Sequence, residues 1–149
     1  MDFKKHTTQD RLDYYSFIWS QARLIIAAVA LFLGGIPPFV RFSPSGLAST
    51  IFSLHTVAYL ISGVAAVYLV YRWSQNKQRL FGGKNQKDTI AFFVSVISGI
   101  NLGLVGLLGT NVGMSITSSK TAFVITGIIY LVAMLYLQQR WKAHGQKLF

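Results

Sequence analysis

The chain has 149 residues, of which 52% are hydrophobic and 12% charged, and its net charge of +10 comes from 14 Lys and Arg against 4 acidic residues. A soluble domain carries nearer ~25% charged residues, and the apolar residues here fall into four blocks, each close to the ~20 residues that cross a bilayer as a helix. Absent cysteine excludes disulfides and thiolate chemistry, and basic residues confined to short patches between apolar blocks point to an anionic membrane surface and away from nucleic acid.

The first 23 residues form a basic tail. Thr7 and Asp10 have capping-box spacing. Leu12, Tyr15, Ile18, Trp19 and Ala22 then recur at helical period. The pattern predicts a short amphipathic helix on the cytoplasmic interface, running into the first span. That span covers roughly Leu24 to Val40, with Gly34-Gly35 and Pro37-Pro38 kinking or ending it. A turn over Arg41 to Ser49 leads to span two, Thr50 to Tyr71. A basic loop, Arg72 to Lys87, precedes span three, Thr89 to Thr110. A polar loop, Asn111 to Lys120, precedes span four, Thr121 to Gln138, and a basic tail. The expected fold is an all-α membrane bundle of four helices in one domain, with the hairpins at residues 24–81 and 82–149.

Orientation follows from the bias of Lys and Arg beside the spans. Twelve of them, Arg23 included, flank the basic side, and only Arg41 and Lys120 flank the other. This places both termini in the cytoplasm, with a bacterial inner membrane as the expected location. Trp19, Trp73 and Trp141 fall on the same side, so Trp19, Arg72-Trp73 and Arg140-Trp141 are expected to anchor the bundle at the headgroups.

The chain repeats itself at an offset of 68: the run from Ala66 to Phe81 aligns without gaps to the run from Met134 to Phe149. Tyr68/Tyr136, Arg72/Arg140, Trp73/Trp141, Gln78/Gln146 and Phe81/Phe149 are identical pairs. The expectation is a duplicated two-helix hairpin whose copies enter the membrane the same way. At the same offset Gly35 falls on Gly103, although identity in the first helix of each copy is poor.

Few residues offer chemistry. The carboxylates are Asp2, Asp10, Asp13 and Asp88, all outside the expected spans, which argues against proton coupling and against acid–base catalysis. His55 in span two could relay a proton, but it lacks a partner; a neutral imidazole bonded to a neighbouring helix is the simpler reading. Asn101 is the amide placed in mid-membrane, where it must face protein or water, either lining a solute path or joining two helices. Ser95, Gly99, Gly103, Gly106, Thr110 and Gly113 recur every three or four residues on one face of span three. Small residues at this period let backbones approach, either inside the monomer or between chains.

No enzyme, cofactor or metal site is expected from this inventory, and no residue motif of a known small four-span family is matched. The leading expectation is a non-catalytic membrane protein that acts by helix–helix association with itself or another membrane protein, as an accessory subunit, assembly factor or exclusion-type protein. The alternative is a passive channel or carrier for a small solute, which a homodimer could form.

Overall fold

A computed structural model describes residues 8–149. Its main elements are α1 (Gln9–Phe32), a short α2 (Pro38–Arg41), α3 (Ala48–Gln75), α4 (Gln86–Leu108), a short α5 (Val112–Ile116) and α6 (Lys120–Ala143). The four long helices are apolar enough to cross a membrane, so the chain is an all-α integral membrane protein. The elements bend where the sequence has helix-breaking residues. Past the end of α1, Gly34 and Gly35 adopt φ of 82° and 86°, and the Gly35 N–H closes the helix on the Ala30 carbonyl at 2.8 Å. Pro38 then opens α2, where its missing N–H is no loss. Asn85, Asn111 and Ser119 cap α4, α5 and α6 with side-chain oxygens on free backbone N–H groups.

Around the bundle α3 packs most extensively on α4, α1 packs on α6, and α1–α3 and α4–α6 complete the ring. α1 also meets α4 across the centre. The main hydrophobic core lies at one end, where the Arg-rich segments converge; it includes Phe17, Leu69, Phe81, Phe92, Leu137, Trp141 and Leu148. Large apolar side chains such as Phe52, Val64, Ile97, Leu107 and Val132 point outward, as lipid-facing residues do.

Three sequence expectations need correction. The amphipathic segment does run into the first span, as one unbroken helix from Gln9, but it packs into the bundle: Asp13, Phe17, Ser20, Gln21 and Arg23 are buried. Leu12 and Tyr15 of the apolar stripe do stay exposed, so it is the more polar face of the segment that packs. Thr7 lies outside the described residues, and the helix is preceded by Thr8 without a side-chain cap bond. Second, Asp13 and Asp88 lie inside α1 and α4, both buried. Third, Gly113 does not continue the small-residue face, because α4 ends at Leu108 with Gly109 left-handed at φ 69°. Gly113 belongs to α5, packed near Asn101 and Asn111.

Candidate functional site

Two ion-pair clusters of the same composition clamp the basic end. Arg72 of α3 donates from Nε and Nη2 to the two carboxylate oxygens of Asp13 of α1, at 2.8 and 2.7 Å, and the Tyr68 hydroxyl donates to the same carboxylate at 2.7 Å. Arg140 of α6 repeats this on Asp88 of α4 at 2.8 and 2.9 Å, with the Tyr136 hydroxyl at 2.7 Å. Fork-on-fork pairing of this kind is directional and strong. It also explains how two carboxylates are tolerated within apolar helices: a buried charge must be paired.

The turns after α3 and α6 match as well. Gln78 and Gln146 both take positive φ, 61° and 64°, and their N–H groups bond to the carbonyls of Trp73 and Trp141. The two turns then cross over. Arg72 lies 5.3 Å from the centre of the Phe149 ring, Arg140 lies 5.6 Å from that of Phe81, and the Phe81 N–H bonds to the Leu148 carbonyl. Trp73 packs on Phe92 and Phe93, and Trp141 on Tyr14 and Phe17. The Arg-Trp pairs therefore hold helices together, where the sequence pointed to headgroup anchors. Arg72 and Arg140 spend their charge on Asp13 and Asp88, and Trp141 is buried.

Asp13 and Asp88 stand 59 and 52 residues before their arginines. The first helices are thus related by an offset of 75, seven residues more than the 68 of the second helices. Seven residues make about two helical turns, which preserves the face. At this offset Asp13, Phe17 and Ser20 fall on Asp88, Phe92 and Ser95, and the equation of Gly35 with Gly103 is displaced.

The other half of the bundle holds a half-open cavity of about 830 Å³, bounded by all four long helices and by α5. Its lining is mainly apolar, including Ile26, Ala30, Leu54, Ala58 and Phe123, with Trp19, Arg23, His55, Ser62, Asn101 and Tyr130 among its polar members. Arg23 is ten residues beyond Asp13, about 15 Å along the helix axis. Helical side chains lean toward the N-terminus, which brings its guanidinium back to α4. There Nη2 donates to the Ser95 carbonyl at 2.7 Å and to the Ser95 hydroxyl at 3.1 Å. Nε and Nη1 have no partner among the described residues, and Arg23 is 5% exposed. Gly99 makes the space: a Cβ there would collide with the guanidinium and crowd Ala66.

This changes the charge count. Arg23 is no flanking residue, so in the sequence eleven Lys and Arg flank the spans on the basic side against two on the other. Trp19 is also tied into the bundle, since its indole donates to the Ser62 hydroxyl at 3.0 Å. His55 bonds within its own helix to the Ile51 carbonyl at 2.9 Å and contacts Phe39 and Tyr59. Asn101 is a structural tie: its Nδ2 donates to Asn111 Oδ1 at 3.0 Å, and its oxygen accepts from the Gly113 N–H at 3.3 Å. Gly103 meets Gly63 backbone to backbone, Gly106 meets Tyr59 and Leu60, and Ser95 and Gly99 meet Arg23. The small-residue face is therefore filled inside the monomer. Among the described residues no group of His, Cys, Asp and Glu could hold a metal ion.

Sequence reasoning missed Arg23 as a buried charge and Asp13 and Asp88 as ion-pair partners. The repeat already displayed Tyr68/Tyr136 and Arg72/Arg140; the acids were hidden by the seven-residue change of offset. The sequence matches no family model, no curated protein and no solved structure.

Proposed function

We propose that the protein is a non-catalytic membrane protein that holds a small solute within its bundle, as a binding protein or passive carrier. The cavity carries this reading. Ligand sites are concave, of about 300–1,000 Å³, and mostly apolar with a few placed polar groups, and the space between the four helices has that size and lining. Helix–helix association as an accessory or exclusion-type protein loses its sequence motive, because the small residues of α4 are used within the chain. It would rest on the lipid-facing surfaces alone.

The eleven-to-two distribution of Lys and Arg supports placing the basic end in the cytoplasm of a bacterial-type inner membrane. The matching clusters and turns support a duplicated hairpin related by an axis along the membrane normal. On this reading the two copies meet backbone to backbone along α3–α4, and through the Phe32 ring along α1–α6.

The test is native mass spectrometry of the full chain extracted in mild detergent, beside Ala27→Trp, which fills the cavity. The wild type is expected to carry a small-molecule mass that the variant lacks. Equal spectra, with a second membrane protein bound in stoichiometric amount, would replace this reading with the accessory one.

A further inference from the structure

We infer that the cavity takes an amphiphile with a single anionic headgroup, a carboxylate or phosphate, bound at Arg23, with its apolar tail lying between α1, α3 and α6. The inference rests on the reading of the cavity as a ligand site and names the chemistry of that ligand.

The starting point is a charge imbalance. Arg23 is a cation deep in an apolar bundle, and among the described residues no carboxylate faces it. Asp13 and Asp88 are both consumed by Arg72 and Arg140, and Asp10 is exposed at the start of α1. Intramembrane arginines pair with an anion, with backbone carbonyls or with water, and they mark ligand paths. Here Nη2 is satisfied by Ser95, and Nε and Nη1 are buried without an acceptor among the described residues, Nη1 lying over Gly99 of α4. A guanidinium presents its donors as a planar fork, the shape that carboxylate and phosphate oxygens match. The residue is also held in place: Gly99 accommodates the head, and Ser95 fixes its orientation.

The rest of the lining describes the tail. Beyond Arg23 the walls are mainly apolar, with Ile26, Ala30, Leu54, Ala58 and Phe123 lining the space and His55, Asn101 and Tyr130 as isolated polar points. A small hydrated anion would leave that surface without a partner, and a neutral apolar molecule would leave the guanidinium uncompensated. An anionic headgroup joined to a hydrocarbon chain satisfies both. Such a molecule can come from the bilayer as a free fatty acid or from water as a short aryl or alkyl carboxylate.

The experiment is fluorescence binding of a polyene fatty acid to the purified full chain in detergent, beside the corresponding polyene alcohol. Benzoate and inorganic phosphate serve as competitors. The acid is expected to bind at least about tenfold more tightly than the alcohol, the value of one charge-assisted hydrogen bond. Arg23→Gln should erase that preference, and Arg23→Lys should keep most of it. Gel filtration and circular dichroism establish that each variant is folded; if Arg23→Gln is not, the acid-to-alcohol ratio in the wild type and in Arg23→Lys decides. Displacement by benzoate would assign the water-soluble source, and its failure would assign the bilayer lipid. Equal binding of acid and alcohol would overturn the anion proposal and leave the cavity as a ligand site. Displacement of the acid by inorganic phosphate at equal concentration would also overturn it, since the tail would then contribute nothing. No binding of either probe, to wild type or Ala27→Trp, would overturn both readings.

Discussion

The seam between α3 and α4 and the seam between α1 and α6 are built from similar parts and end differently. In the first, Gly63 and Gly103 meet with no side chain between them, so the two backbones touch. In the second, Gly127 of α6 receives the Phe32 ring of α1, so an aromatic ring stands between the helices. Glycine on glycine removes the gap, whereas glycine under phenylalanine preserves it. Near the basic end no such difference exists: each half has its own Asp-Arg-Tyr cluster with nearly the same distances. The molecule is alike where it is clamped and unlike where it is hollow. Close packing in membranes is set by where small residues oppose each other, not by how many there are.

The contact of backbone on backbone should give the largest effect. Gly103→Leu has no room, since even a Cβ would lie 2.6 Å from the Gly63 Cα. Overpacking against backbone has no flexible neighbour to yield, so a loss above about 3 kcal/mol is expected. Little folded monomer should survive gel filtration. The clamp comes next. Asp88→Asn strands Arg140, and Asp13→Asn strands Arg72; the arginines are partly exposed, so each should lower stability by about 2 kcal/mol, the scale of a charge-assisted hydrogen-bonded pair. Thermal unfolding in detergent measures both, and a much smaller loss for one of them would deny that the two clusters are equivalent. The smallest effect belongs to the loose seam. Gly127→Ala places a Cβ 2.6 Å from the Phe32 ring, which is a side chain and can move. About 1 kcal/mol is expected, and Phe32→Leu in the same chain should recover it. A Gly127→Ala loss as large as that of Gly103→Leu would mean that the two seams are equally tight.

Much of this architecture was legible in the residues. Four apolar blocks of spanning length admit few folds, and the glycine and proline pairs of the first hairpin fall where α1 ends and α2 begins. The small-residue face of α4 was visible from spacing, but its partner was not, because spacing describes one surface and contact needs two. Arg23 escaped for a related reason. It stands immediately before the apolar run that opens at Leu24, close to polar Ser20 and Gln21, so the sequence offered it as a flanking charge. Only the continuation of α1 back to Gln9 carries it into the bundle.

The sequence by itself determined that the chain is a four-helix membrane protein, that its basic residues gather at one end, and that Tyr68, Arg72 and Trp73 recur as Tyr136, Arg140 and Trp141. These are properties of composition and period, which each segment holds alone. The tertiary structure decided that Asp13 and Asp88 complete those recurring groups, that Gly103 faces Gly63, and that Arg23 stands beside a cavity with no carboxylate from the described residues against it. Pairing and packing depend on what a second helix brings to the same depth, and a linear pattern does not contain depth.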